Sequence, residues 1–328
     1  MNIQSDIKVL DSLLAVNLDI NLWSARRKMT AQDLGSAELP PEELASLGSK
    51  RIADPAHLKI FGTLKARATS YLDKHGIRFM SGWAIPLEKA TEITEQLSLI
   101  REEFIAEKEK FLASYNELIT SWIDKHDDWA DIIRNSVVDP DYVRSRMSFK
   151  WQLYKVTPSE MNTSVDTGIC NEVENLGNTL FAEVAYSAKD MWKKIFEGKT
   201  EVTHKALSPL KTLHNKLTEL SFIEPHVMPV ADIIHASLQR IPKKGNIVGA
   251  DLLLLQGLVC LLKDSKGLLE HAHKITQGYG PATVVDYLAN STLELQDDEE
   301  PMPLLKEELA SDLPLVDVKV EIPSMGLW

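Results

Sequence analysis

Residues 86–126 read PLEKATEITEQLSLIREEFIAEKEKFLASYNELITSWIDKH. Ala90, Leu97, Phe104, Phe111 and Leu118 recur at seven-residue spacing, and Ile93, Ile100, Tyr115 and Trp122 fill the same side. Glu88, Glu95, Glu102, Glu103, Glu109 and Lys110 occupy the opposite face. One apolar stripe against one charged face predicts a single amphipathic helix across the whole stretch. Pro86 suits its first position, where a missing N–H is harmless. A helix of 41 residues is about 60 Å long at ~1.5 Å per residue. A rod of that length outreaches a compact domain and must pack along a second long helix. The near-heptad spacing points to coiled-coil-like contact. Glu107, however, falls where a strict coiled coil needs an apolar residue. The expected partner is therefore the chain's own second long helix, from Ile169 to Ile195. In it Ile169, Val173, Leu176, Leu180, Val184, Met191 and Ile195 recur at near-helical spacing before Gly198.

Three strands are expected on the N-terminal side. Val16, Leu18, Ile20 and Leu22 alternate with Asn17, Asp19 and Asn21, the two-residue period of a half-buried strand. Ile77 and Phe79 alternate with Arg78 and Met80 in a second, with Gly82 beyond as a bulge or close-packing site. Met147, Phe149, Trp151 and Leu153 alternate with Ser148, Lys150 and Gln152 in the third. Leu58, Phe61, Leu64, Ala68 and Leu72 predict a helix after Pro55 that Gly76 stops. A short helix is expected near Glu42–Leu47 and another after Asp127-Asp128. Further helices are expected over Leu207–Leu220, Pro225–Leu238 and Val248–Leu262, with a short one after Pro281. The resulting fold class is mostly α with a small antiparallel β-sheet (α+β). It combines a long antiparallel helical hairpin with a helical bundle. Residues 1–160 hold the sheet and first long helix, 161–290 the helical region packing on it, and 291–328 an acidic flexible tail.

The chain carries a net charge of −12. Residues 291–328 contain ten acids and two bases, so the first 290 residues carry only −4. The whole chain lacks the basic balance of a protein held to nucleic acid mainly by phosphate contacts. The tail ends in Val316-Asp-Val-Lys-Val-Glu-Ile322, an alternating segment able to pair as a strand with a partner or with the chain's own sheet. The two cysteines, Cys170 and Cys260, lie far apart and read as small core residues in a reducing, cytoplasmic compartment. Asp6, Asp11, Asn17 and Asp19 interrupt the N-terminal apolar run, so no secretory leader is expected. The window Ile247–Leu262 is too short for a membrane helix and contains Asp251 and Gln256.

No motif carries reaction chemistry. Gly48-Ser-Lys50 lacks the upstream glycine and the Gly-Lys order of a phosphate loop. His271-Ala-His273 diverges by about 200° on a helix and has no HExxH or cysteine partner. No Gly-x-Ser-x-Gly elbow occurs. No cofactor, metal or catalytic residue is expected. The most suggestive cluster is Trp23, Arg26, Arg27 and Lys28. There a strand end delivers an aromatic and three cations suited to phosphate, an acidic partner, or this chain's own tail. Arg78 is added from the second strand.

Three strings carry a family resemblance: Leu18-Asp-Ile-Asn-Leu-Trp23-Ser-Ala-Arg26-Arg27-Lys28, Leu39-Pro-Pro-Glu-Glu-Leu-Ala-Ser-Leu-Gly-Ser-Lys50 with Asp54-Pro55, and Gly76-Ile-Arg78-Phe79-Met-Ser-Gly82. Together they resemble a bacterial family catalogued as a domain of unknown function and carried on prophages, plasmids and integrative elements. The resemblance covers roughly residues 14–160 well and the helical remainder loosely. The acidic tail lies outside it. It implies neighbourhood with genes for ring-forming ATPases of the MoxR type and von Willebrand A proteins. The expected function is a non-enzymatic adaptor or assembly protein of a mobile genetic element, binding a protein partner such as that ATPase. The alternative is a nucleic-acid-binding accessory protein, with Arg26, Arg27, Lys28, Arg78, Lys150 and Lys155 on one face of the sheet.

Overall fold

The alternating run near the N-terminus forms the spine of a four-stranded antiparallel sheet. In the computed structural model, which describes residues 8–34, 45–157, 167–278 and 280–294, strand β1 (Leu13–Asn21) pairs on both sides. The sheet order is β4-β5-β1-β6. On one edge β6 (Ser148–Tyr154) runs antiparallel to it, with Asp19 opposite Lys150 and Ile20 opposite Phe149. On its other side lies β5 (Gly82–Pro86), itself joined to β4 (Ile77–Phe79) by the two-residue turn Met80-Ser81. Thus the sheet has four strands where three were expected, and Pro86 ends a strand instead of opening the long helix. Every residue of β5 is buried. A continuous apolar run is what a strand covered on both faces requires, and it hides the alternation that identifies a half-exposed one.

Gly82 enables that pairing by close approach. A Cβ built there would lie 2.0 Å from the Val16 carbonyl oxygen. Met80 carries the turn at φ 50°, without the glycine or asparagine that usually marks such a position.

The two faces of β1 feed different cores. Leu13 and Ala15 point into one, with Ile77, Phe79 and Ala84. Val16 and Ile20 point into the other, with Trp83, Ile85 and Phe149. The second core is closed by α1 (Lys59–His75), α2 (Ala90–Ala113) and α3 (Tyr115–Asp124). Phe61 and Phe104 meet edge-on at 5.2 Å, Phe104 meets Phe149 at 5.6 Å, and Phe111 and Tyr115 continue the aromatic layer. The expected long helix is real in its buried face but is two helices. Ser114 interrupts it, with its hydroxyl donating back to the Lys110 carbonyl at 3.1 Å. A serine hydroxyl that competes for a helical carbonyl bends the helix there. Two short helices, α4 (Ala130–Arg134) and α5 (Pro140–Arg146), lead into β6, the second capped by the Asp139 carboxylate.

The expected hairpin is where the structure departs furthest from the pattern. The second long helix, α6 (Thr167–Met191), lies in the other core, so the sheet stands between it and α2. Its neighbours are β4 and α9 (Gly249–Lys263). An apolar stripe states that a helix is covered, and β-strands cover α2 as effectively as a helix would. The remainder of that core comprises α7 (Leu207–Glu219), α8 (Val227–Arg240), α10 (Ser265–Thr276) and α11 (Pro281–Glu294). The two-residue strands β7 (Glu201–Val202) and β8 (Ile247–Val248) pair beside it. Cys260 is exposed, contrary to the core reading. The side chain of Cys170, residues 42–44 of the expected short helix, and the tail beyond Glu294 lie outside the described residues. None of the described helices is long and apolar enough to cross a membrane.

Candidate functional site: a cationic ribbon

Beyond Asn21 the chain leaves the sheet. Ala25, fully buried, takes the left-handed conformation at φ 52°, a strained choice for a residue with a Cβ. Its carbonyl accepts the Ile52 N–H at 2.9 Å. This fixes the next three residues, β2 (Arg26–Lys28), against β3 (Ser49–Arg51) as a separate antiparallel ribbon. Across it Arg26 faces Arg51 and Arg27 faces Lys50. Directly opposed like charges destabilise a strand pair; a carboxylate, Asp33, offsets Lys50, whereas Arg26 opposite Arg51 has no such relief among the described residues.

Arg26, Arg27, Lys28 and Arg51 are all exposed. Arg146, from the end of α5, joins Arg26 and Arg27 in a polar cavity of about 620 Å³ lined also by Asn21, Ser24, Tyr142 and Ser145. Tyr142 lies between two of the cations, 5.5 Å from the Arg27 guanidinium and 5.1 Å from that of Arg146. Among the described residues, Arg26, Arg27, Lys28, Arg51 and Arg146 make no ion pair. Arg144, two positions from Arg146, is by contrast taken up by Glu109 at 2.5 Å.

The ribbon is anchored from below. Lys50 pairs with Asp33, whose carboxylate also accepts the Thr30 N–H at 2.7 Å. The Lys50 hydrogen bond, followed by the Thr30 N–H, holds the Asp33 carboxyl below its usual pKa. A depressed folded pKa contributes stability above the unfolded value, ~3.9 for aspartate, and that contribution is lost as pH falls through the folded one. The ribbon amides are therefore expected to exchange faster below about pH 4 while the sheet amides hold. Asp33→Asn should abolish that pH step. Equal exchange of ribbon and sheet across the titration would contradict the anchor.

Trp23 and Arg78 occupy different positions from the three ribbon cations. Trp23 is 8 % exposed and packs on Tyr115 at 5.9 Å and Phe111 at 6.1 Å. It is a pillar beneath the ribbon, reaching the cavity only at its edge. Arg78, on β4, pairs with Asp73 at 3.0 Å and lies 4.0 Å from the Trp83 ring. Asp73 in turn accepts the Trp83 indole N–H at 2.7 Å. Lys155 pairs with Asp11 at 2.8 Å, and Lys150 stands opposite Asp19 on the exposed part of β6. The six cations of the nucleic-acid reading thus do not share one face. Arg51 and Arg146 belong with the cluster and were not singled out from sequence. The triplet Ser49-Lys-Arg51 held the only local signal, and Arg146 arrives from more than a hundred residues away.

A family model described as Protein of unknown function (DUF3150) matches residues 10–264, spanning the sheet, the ribbon and the helices through α9. The chain belongs to this family. The match encloses Arg26, Arg27, Lys28, Arg51 and Arg146, and it extends through the helical half that the sequence strings resembled only loosely. No curated protein and no solved structure matches the chain. The family description names no chemistry, so the functional reading rests on the ribbon.

Proposed function

We propose that this protein is a non-enzymatic adaptor that docks an acidic segment of a protein partner on the β2–β3 ribbon. The observation that carries the reading is a set of arginines that have no counter-ion among the described residues. Arg26, Arg27 and Arg146 line one cavity with Tyr142, and Arg51 opposes Arg26 across the ribbon. Such an arrangement gains its compensation when an anion binds. The planar guanidinium fork suits carboxylates in pairs of parallel hydrogen bonds. The overall charge of −12 favours a compact acidic patch over the extended phosphate contacts of nucleic acid. In the mobile-element setting that the resemblance implies, a ring-forming ATPase of the MoxR type is the partner to test first.

A second reading has one observation in its favour. Tyr142, 38 % exposed and flanked by two arginines, is a surface on which an unpaired base would stack.

Fluorescence anisotropy with an acidic peptide and with a single-stranded oligonucleotide, each at low and moderate salt, separates the two. Arg26→Glu with Arg27→Glu is expected to weaken peptide binding by at least about tenfold, some 1.4 kcal/mol. Arg→Lys at the same positions should weaken it less. Tighter oligonucleotide binding with a steep salt slope would transfer the conclusion to nucleic acid. Binding of neither probe would remove both readings.

A further inference from the structure

Among the described residues, the sheet ends on a strand edge that is long and unpaired. In the order β4-β5-β1-β6, the outer edge of β6 faces no other strand of the described residues. Among the described residues, the only strand that Ser148–Tyr154 pairs with is β1, and no further backbone hydrogen bond reaches these residues. Proteins normally shorten, charge or cover such an edge, because its free N–H and C=O groups template another strand. Here the edge runs for seven residues. It also carries apolar surface that the core leaves uncovered. Phe149, Trp151 and Leu153 share the face turned toward α2, yet Leu153 is 40 % exposed. Lys150 and Gln152, exposed, and Tyr154, 40 % exposed, lie on the other face.

The chain contains a segment of matching length and pattern. Val316-Asp-Val-Lys-Val-Glu-Ile322 is also seven residues, with apolar and charged positions in strict alternation. We propose that this segment docks on β6 as a fifth strand of the chain's own sheet. One antiparallel register sets Val318, Val320 and Ile322 beside Leu153, Trp151 and Phe149, and Glu321 across from Lys150. The parallel counterpart sets Val316, Val318 and Val320 beside Phe149, Trp151 and Leu153, and Asp317 across from Lys150. Either way an acid meets a cation that has no ion-pair partner among the described residues, and the valines extend the apolar face over Leu153. The side-chain period of two makes any one-residue slip unfavourable, because it would place the charged set on the apolar face. Reach is sufficient. Residues 295–315, between the end of α11 and the segment, span up to about 70 Å at ~3.3 Å per residue. A globular chain of this size has a radius of gyration near 20 Å. The mode is β-augmentation, in which main-chain hydrogen bonds supply affinity and alternate side chains supply register. It stands independently of what the ribbon binds.

Hydrogen exchange on the full-length chain tests it. Val318→Pro with Lys319→Pro covers both hydrogen-bonding phases, so it removes a ladder donor from the segment in either register without touching β6. The outward-facing amides of Phe149–Leu153 are expected to exchange at least about tenfold faster in this variant, with α2 unchanged. Lys150→Glu should produce a smaller acceleration. Restoration by Glu321→Lys would assign the antiparallel register, and restoration by Asp317→Lys the parallel one. Equal exchange of the β6 amides in wild type and the proline variant would overturn the proposal. Protection that disappears on dilution would overturn docking within one chain and assign the edge to a second copy.

Discussion

Gly82→Ala is expected to destabilise the protein by at least about 3 kcal/mol, more than almost any other single methyl group added to this chain. The alanine Cβ would stand 2.0 Å from the Val16 carbonyl oxygen and 3.0 Å from its carbonyl carbon. Both atoms belong to backbone, in the middle strand of the sheet, so no side-chain rotation relieves the contact. β5 must move away from β1, and the pairs from Leu13↔Pro86 to Val16↔Trp83 loosen with it. That interface separates the two cores, so the damage reaches both. Against a total stability of ~5–15 kcal/mol for an ordinary domain, this is a large fraction. Thermal or denaturant unfolding measures it directly. A variant within about 1 kcal/mol of wild type would mean that β5 does not approach β1 as described.

Phe104→Ala is expected to cost about 3–5 kcal/mol. The ring is 1 % exposed and makes edge-to-face contacts with Phe61 of α1 and Phe149 of β6. Its removal empties the point where helix, helix and sheet meet, and aromatic neighbours of fixed shape collapse poorly into such a void. Leu99, on the same helix but 58 % exposed, provides the contrast. Leu99→Ala should change stability by no more than about 0.5 kcal/mol. Paired denaturant curves would show the difference as a shift in midpoint at constant slope. Equal effects would indicate that the helix turns a different face inward. A Phe104→Ala variant near wild-type stability would count against the packing of α2 on the sheet.

The same residues show how far periodicity can be read. Ile93, Leu97, Ile100, Phe104, Phe111 and Tyr115 are all buried, as their spacing requires. The interruption at Ser114 was invisible because one hydroxyl-to-carbonyl bond leaves the apolar stripe intact on both sides. Strands β1 and β6 were legible because each has an exposed set of residues to alternate with. β5 was not, since it is buried on both sides and enters through Met80-Ser81, a turn with no glycine or asparagine in it. α10 was missed for a related reason. Only Asp264 separates it from α9, so its pattern merges with that of its neighbour.

The candidate site divides in the same way. The run Arg26-Arg27-Lys28 beside Trp23 stood out as a strand end rich in cations, and it is one. Arg51 and Arg146 lie in other elements and reach the cluster only because Ala25 turns the chain out of the sheet and α5 returns to it. Arg78 looked equivalent from its charge alone. Its carboxylate partner sits five residues earlier, on α1, where only the fold shows that the two meet.

For the long helix, the sequence by itself determined which face is buried, because an apolar stripe at helical spacing must leave water whatever covers it. The tertiary structure alone decided what covers it. The hydrophobic effect is non-directional, so the stripe from Ile93 to Tyr115 records a demand for apolar contact without naming the surface that meets it. A second long helix with a matching stripe was available in the chain. The sheet met the demand instead, because β1 carries apolar residues on both faces and can serve α2 on one side and α6 on the other.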